Sequence, residues 1–480
     1  DGVSKYWASC GAQHCSANRC STLQVNECEV EMPKRIISSL NDALERHGSS
    51  QASHRVGDGT PEFIRAANEG HHLNIGPGEP CLSEWASAGL ALPDLAAMRQ
   101  YRLDRLVQQL NNYGYGGILL FDPLNVRYAT DTTNMQLWVM HNGARYAYVS
   151  SDGYVIVWDY TNTEFLNGHS HVVNEVRPAL GVSYFLNGSR YREIAERWAS
   201  EIEAVVREHQ GKNSRLAVDA LHGPGYQLLG AKKIDVGFGY EVMEEARKIK
   251  GVDEIKAMRC AVHSCEMTMK ELREDATPGM TEREVWSRLH AGNIRRAGEW
   301  IETQLLASGP RTNPWMQEAS SRTIQRGDLI GYDTDLVGAY GMMCDISRTF
   351  VVGNERPNTS QQEVHQIAAD VIAANFEMLT PGRSFHDLTF KSALPDPSHY
   401  RHYSCLFHGV GQCDEYPDIV MPSAWLDFGY DGIVESGMVL TVESFVGRRD
   451  GGEGVKLEIQ VLVTDDGPER LDFSSLELRA

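Results

Sequence analysis

Apolar residues recur at alternating spacings of three and four through "VDEIKAMRCAVHSCEMTMKELRED": Ile255, Met258, Val262, Cys265, Met269 and Leu272. That period places them on one face and predicts an amphipathic helix opening a unit near Gly251. Upstream, "PDLAAMRQYRLDRLVQQLNNYG" predicts a helix stopped by Gly114. "GGILLFDPLNVRYAT" follows, and "ARYAYVSSDGYVIVWDY" reads as a hairpin turning at Ser151–Gly153. "YREIAERWASEIEAVVREHQ" reads as a helix and "SRLAVDAL" as a strand. This β/α alternation predicts a mixed-sheet α/β domain over residues 93–245. Residues 246–480 read as an α+β domain, with strands at about 328–336, 342–352, 438–445 and 455–464. "TERE" at 281–284 and "SQQE" at 360–363 read as capping boxes that open helices. Before residue 93 no period is sustained, and "SSQASHRVGDGTPEF" and "NIGPGEPC" are rich in turn formers. Residues 1–92 are therefore expected to form an irregular extension.

Composition adds bounds rather than detail. The chain has 480 residues, 42% of them hydrophobic and 23% charged, which is ordinary for a globular enzyme with a sizeable core. The formal net charge of -20 argues against nucleic acid and anionic membrane as partners. No run of 18 apolar residues suggests a membrane span, and the N-terminus has no apolar core of a signal peptide. The chain opens on Asp1, which reads as a fragment or a processed form. Of ten cysteines, Cys10, Cys15, Cys20 and Cys28 cluster near the start and the rest are scattered singly. The scatter fits reduced thiols in a cytoplasmic enzyme. The cluster could bind zinc with His14, but its spacing matches no common zinc module, and a disordered or poorly packed extension is the better reading.

The chemistry gathers in "GYDTDLVGAYGMMCDISRTF", residues 331–350. Strand alternation puts Asp333 and Asp335 on one side, and a turn at "GAYG" that pairs 335 with 345 brings Asp345 to the same side. Three adjacent carboxylates repel unless cations neutralise them. A solvated edge is the plainer explanation, but the flanking "LIGY" and "ISRTFVV" read as buried. Downstream, His408 precedes two glycines in "LFHGVGQCDEYP", while "GMVLTVESF" and "GVKLEIQVLVT" set Glu443 and Glu458 inside apolar strands. Buried glutamates without partners are rare. Metal binding accounts for all six residues together, and oxygen-rich ligation with one imidazole suits pairs of Fe, Mn, Co or Zn ions.

The order Asp–Asp–His–Glu–Glu, carried by "DISRTF", "HGVG", "MVLTVE" and "KLEIQVLVT", resembles the pita-bread metalloenzymes: methionine aminopeptidase, aminopeptidase P, prolidase and creatinase. The resemblance spans about residues 93–475. It implies a creatinase-like N-terminal mixed α/β domain, a C-terminal pita-bread catalytic domain, a dinuclear metal site and a homodimer. Peptidases of this family separate their first two aspartates by eleven positions. Here that count lands on Thr334, with Asp333 and Asp335 on either side. Two histidines that handle substrate in the peptidases are also missing. Trp315 stands near one of their places, and Asp414 and Glu415 near the other.

Those departures, with "GGILLFDPLNVRYATDTTNMQLW", "NIRRAGEWIETQLLASGPRTNPW", "DTDLVGAYG" and "HGVGQCDEYP", resemble the DddP-type dimethylsulfoniopropionate lyases. The resemblance implies cleavage of a small zwitterion, dimethylsulfoniopropionate, to dimethyl sulfide and acrylate. It implies metal ligation by Asp333, Asp335, Asp345, His408, Glu443 and Glu458, with Asp414 as general base. It matches Trp138 and Tyr403 to aromatics that contact substrate. The chemistry suits these residue types. A Lewis acid on the substrate carboxylate offsets the charge that develops as the neighbouring C–H proton leaves. Aromatic faces attract a sulfonium, and Trp315 and Tyr416 are further candidates for that role. Five carboxylates against two divalent ions leave an excess negative charge. This excess is expected to discourage a bridging hydroxide, to favour elimination over hydrolysis, and to suit iron.

Two other readings remain at the level of sequence. A metal-dependent Xaa-Pro dipeptidase or aminopeptidase would hydrolyse X-Pro dipeptides, and the missing histidines argue against it. A non-enzymatic binding module of the same fold would tend to lose ligands, whereas all six positions carry ligating side chains.

Overall fold

A computed structural model describes residues 76–221 and 223–478, with the backbone alone at His54, Arg55 and Glu164. The chain divides into two units, Asp1–Ala52 and Ser53–Ala480, and every described residue lies in the second. The cysteine cluster, Cys10, Cys15, Cys20 and Cys28, with His14, lies outside the described residues.

Part of the stretch read as irregular is helical. Helix α1, Cys81–Ser87, has seven residues, fewer than two turns and too short to show a period. What holds it is tertiary packing. Trp85 is 0% exposed, donates through Nε1 to Ser264 Oγ at 3.0 Å, and stacks on Tyr340 at 5.7 Å. Helix α2, Leu95–Tyr113, begins where Asp94 accepts from the backbone N–H groups of Ala96 and Ala97, and stops at Gly114, whose φ of 70° favours glycine.

The first half is built on a seven-stranded mixed sheet. Its strands are β1 (His54–Arg55), β2 (Gly117–Leu120), β3 (Tyr146–Ser150), β4 (Val155–Asp159), β5 (Glu175–Pro178), β6 (Arg215–Val218) and β7 (Asp235–Phe238), in the order β1-β5-β4-β3-β2-β6-β7. Alternate side chains feed two cores. Ile118, Leu120, Ala147, Val149, Val155 and Val157 pack with α2 and helix α3, Gly239–Arg247. Leu119, Tyr146, Tyr148, Ile156 and Trp158 pack with Trp198 and Ile202 of Tyr191–Gln210. Burial on both faces explains why these strands read as nearly continuous apolar runs.

The second half opens with α4, Val252–Asp275, the helix the apolar spacing predicts, followed by α5, Glu282–Arg295, with the expected Thr281/Glu284 capping box. Strands β8 (Trp300–Ile301), β9 (Leu306–Ser308), β10 (Leu329–Tyr332), β11 (Leu336–Val337), β12 (Met343–Cys344) and β13 (Arg348–Val351) make two three-stranded sheets, β13-β10-β9 and β12-β11-β8. Each long strand expected here is broken in two. The breaks fall at 333–335 and 345–347, where ladder pairing gives way to inward-turned aspartates. Helix α6, Thr359–Phe376, starts two residues earlier than "SQQE" suggests. Its capping box is Asn358 with Gln361, because the Asn358 carboxamide accepts from Gln361 N at 3.0 Å and Gln361 Oε1 accepts from Asn358 N at 2.8 Å.

The last sheet contains β14 (Tyr400–Arg401), β15 (Cys405–Val410), β16 (Asp414–Val420), β17 (Val439–Arg448), β18 (Gly454–Thr464) and β19 (Gly467–Arg470). Its order is β16-β15-β17-β18-β19, with β14 on β17. One face of β17 and β18 presents Val442, Val446, Leu457, Ile459 and Val461 to the core that includes Val364, Ala368 and Ile372 of α6. The other face carries Thr441, Glu443, Lys456, Glu458 and Gln460, all buried. A polar face that meets no bulk water needs an internal partner. No helix among the described residues is long and apolar enough to cross a membrane.

Candidate metal centre

The hairpin register follows the expected sum: Leu336 pairs with Cys344 and Val337 with Met343, which sets 335 opposite 345. Convergence of the aspartates is not plain strand alternation, however. Thr334, at the place where a peptidase keeps its aspartate, turns into the fold. Its hydroxyl donates to Cys344 O at 2.8 Å and accepts from Ile346 N at 3.0 Å. The residues on either side then swing the other way, Asp335 with a φ of 34°. Oxygens of Asp333, Asp335 and Asp345 lie within 4.8 Å of one another. Thr303 Oγ1 hydrogen-bonds Asp335 Oδ2. Burial and the neighbouring carboxylates hold Asp335 and Asp345 well above the ordinary aspartate range.

Glu443 and Glu458 pair directly across β17 and β18. His408 Nε2 lies 3.1 Å from Glu443 Oε1, 3.2 Å from Asp345 Oδ2 and 3.6 Å from Glu458 Oε1. His408, Glu443 and Glu458 therefore form a second ligand group within 4.8 Å, and Asp345 with His408 and Asp414 a third. The glycines after His408 serve the neighbouring strand: a Cβ on Gly409 would lie 2.5 Å from Tyr416 O and 2.6 Å from Glu415 O.

Sequence reading missed the cation in this cluster. Lys456 is 0% exposed, and its Nζ lies 3.1 Å from Asp333 Oδ2, 2.9 Å from Glu443 Oε2 and 3.0 Å from Glu458 Oε2. The available signal was a lysine two residues before Glu458 in a strand that is otherwise apolar at alternate positions. Lys456 brings the charge balance back to that of four carboxylates. The excess negative charge expected above is therefore not there to discourage a hydroxide or to select iron.

The donor set fits metal ions. Asp345 Oδ1 and Glu458 Oε1 are buried without a hydrogen-bond partner, as oxygens kept for a cation would be. Oxygen donors with one imidazole suit first-row transition ions.

Asp414 and Glu415 adjoin on β16 and face opposite ways. Asp414 turns to the cluster, with Oδ1 3.7 Å from His408 Nδ1 and a side chain 56% exposed at the mouth of the site. Partial desolvation by the walls raises its pKa to about 6, with Glu458, Glu443 and Asp333 adding to the rise and His408 opposing it. Glu415 is buried beneath, 3.5 Å from Arg247 Nε and in contact with Lys250 Nζ. The four aromatic candidates separate. Tyr403 and Trp315 hold their rings 4.9 and 5.8 Å from Lys456 Nζ, at the cluster. Trp138 packs on Tyr160 and Phe185, and Tyr416 on Tyr430 and Phe385.

The sequence model described as metallopeptidase family M24 matches residues 256–465. Dimethylsulfoniopropionate lyase DddP of Roseovarius nubinhibens is 46% identical over 422 residues, covering 87% of this chain and 93% of that one. The enzyme of the same name from Roseobacter denitrificans is 43% identical over the same spans. Among solved structures, an Xaa-Pro dipeptidase from Bacillus anthracis superposes with a TM-score of 0.64, covering 79% of this chain and 99% of that one at 21% identity, a likeness of fold.

Proposed function

This chain belongs to the family of the DddP dimethylsulfoniopropionate lyases, in the pita-bread superfamily, and from that premise we infer that it is a metal-dependent carbon–sulfur lyase that splits dimethylsulfoniopropionate into dimethyl sulfide and acrylate. The observation that carries the reading is identity of 46% across nearly the whole of both chains.

Asp333, Asp335, Asp345, His408, Glu443 and Glu458 are the proposed ligands of two transition-metal ions; with the charge argument for iron removed by Lys456, the donor set suits Fe, Mn, Co or Zn alike. When bound, the ions supply Lewis acidity toward the substrate carboxylate. Asp414 takes the proton from the carbon next to that carboxylate. The electrons of the C–H bond form the new double bond, the C–S bond breaks, and its pair leaves on sulfur as neutral dimethyl sulfide. A base whose pKa lies near 6 is ionised at neutral pH and is stronger than an ordinary aspartate. Tyr403 and Trp315 are the proposed aromatic walls for the sulfonium, each worth roughly 0.5–2 kcal/mol. Trp138 and Tyr416 keep that role as a proposal resting on resemblance and residue type alone.

We assign residues 246–480 as the catalytic domain and 93–245 as the N-terminal domain. Met135, Leu137, Met140, Tyr184 and Phe185 are exposed around Trp138, an apolar patch that supports a homodimer. The six described cysteines are all free, which supports a cytoplasmic setting.

The test is headspace detection of dimethyl sulfide from dimethylsulfoniopropionate, with Asp414→Ala as control and X-Pro dipeptides as the rival substrate. Trp315 and Asp414 stand near the places where the peptidases carry their substrate-handling histidines, and on that ground no dipeptidase activity is expected. Hydrolysis of an X-Pro dipeptide without release of dimethyl sulfide would overturn the reading.

A further inference from the structure

The proposed reaction makes no use of Lys456. Its ammonium has three N–H donors, and four acceptors surround it. Asp333 Oδ2 lies at 3.1 Å, Ser347 Oγ at 2.8 Å, Glu458 Oε2 at 3.0 Å and Glu443 Oε2 at 2.9 Å. The rings of Tyr403 and Trp315 close over the same group. With no free donor and no exposure, Lys456 is not built to grip a substrate.

The arrangement has a direction. Both glutamates are divided: each Oε2 faces Lys456, and each Oε1 faces His408. Lys456 stands behind the ligand set and leaves one oxygen of each glutamate for an ion. Asp333, Asp335, Asp345, Glu443 and Glu458 are five carboxylates within one buried cluster. Two divalent ions neutralise four of them. Among the described residues, Lys456 is the only ammonium or guanidinium group within ion-pair distance of any of the five carboxylates.

We propose that Lys456 is the fixed counter-charge of the fifth carboxylate, Asp333, and that it positions Asp333, Glu443 and Glu458 to receive two divalent ions. Lys456 is thus a positioning residue, and its role rests on the metal reading of the same six ligands. It also explains how a chain can carry the "DTD" doublet without an unbalanced buried charge. Removing one member of a buried ion pair leaves the other uncompensated, whereas removing both leaves the site balanced.

The experiment is a double-mutant cycle on the full chain: Lys456→Met, Asp333→Asn and the two combined. Metal per chain is measured by elemental analysis after dialysis, and the Tm of each metal-free protein by calorimetry. Each single variant is expected to fall from two ions per chain to one or fewer, and Lys456→Met to lose Tm without metal. The double variant is expected to regain more than half of both losses. Losses in the double variant equal to the sum of the singles overturn the proposal, as does a Lys456→Met protein that keeps two ions. Wild type and His408→Ala are run alongside. Wild type without ions overturns the metal reading and this proposal with it. Failure of the proposal alone leaves wild type loaded and His408→Ala depleted.

Discussion

Glu443 and Glu458 stand directly opposite each other on β17 and β18, both buried. Like charges at directly opposed positions destabilise a sheet. The pair persists because Lys456 lies against one oxygen of each glutamate and His408 against the other. A sheet that accepts such a pair at its centre is arranged around cations.

Removing the ions is therefore expected to lower Tm, and by more at pH 8 than at pH 5. Asp335 and Asp345 are held well above the ordinary range by burial first and then by neighbouring carboxylates. A carboxyl with a raised folded-state pKa binds a proton in the native state that the unfolded state has lost. Stability then falls as pH rises from about 4 through the folded value. His408 acts in the same direction, since its carboxylate neighbours outweigh burial and raise it. Glu458 runs the other way: burial and Glu443 push it up, but Lys456 and His408 pull it lower still. Asp333 is raised too, by burial first, so among the proposed ligands one group opposes four. Ions bind the ionised ligands, so the gap between loaded and chelated protein widens with pH. Calorimetry with and without chelator from pH 5 to 8 checks this, and a constant gap would contradict it.

Much of the ligand set was legible because buried charge is conspicuous in apolar strands: Glu443, Glu458 and the three aspartates announce themselves. The register that opposes 335 and 345 was legible too, from the glycine-flanked turn. What alternation could not show is that the strands break at the aspartates and that Thr334 is the pin, since a hydroxyl between two acids reads as neutral filler. Lys456 hid for a related reason, because a lysine in a strand is ordinarily solvated. The resemblance singled out Asp414 over Glu415, but the residues alone could not, because the facing of β16 turns on an irregular register opposite His408 and Gly409. Helix α1 was invisible because its stability lies in packing rather than period.

That packing makes Trp85 a test of how far the hairpin depends on its surroundings. Its ring stacks on Tyr340, which lies in the turn between β11 and β12. Trp85→Ala is expected to cost about 3–5 kcal/mol of stability. Because the turn loses its backing, metal content is expected to fall as well. Denaturant unfolding and elemental analysis on one preparation measure both. Loss of stability with full metal content would show that the turn holds itself.

Thr334→Val keeps the shape of the pin and removes its hydroxyl. Cys344 O and Ile346 N then lose their partner, which costs about 1–3 kcal/mol for buried groups. Asp333 and Asp335 should splay, so metal affinity falls while both carboxylates remain. Metal titration of the refolded protein reads this directly. Unchanged affinity would mean that the aspartates are positioned by Lys456 and Thr303 alone.

Asp414 and Glu415 offer the sharpest separation of catalysis from stability, because neighbours on one strand face different partners. Asp414→Asn removes the proposed base at an exposed position. Turnover is expected to fall roughly 10²–10⁴-fold, with Tm unchanged. In the wild type, the base must be ionised to work, so kcat/KM falls as pH drops through the pKa of Asp414 and levels off above it. That value is about 6 without ions, and bound cations pull the midpoint lower. Glu415→Gln acts elsewhere. It leaves Arg247 and Lys250 buried against a neutral group, at a cost of about 3–5 kcal/mol. Its pH midpoint should match wild type, since the cluster above it keeps every charge. A shifted midpoint in Glu415→Gln, or a full-strength pH profile in Asp414→Asn, would move the base to a different residue.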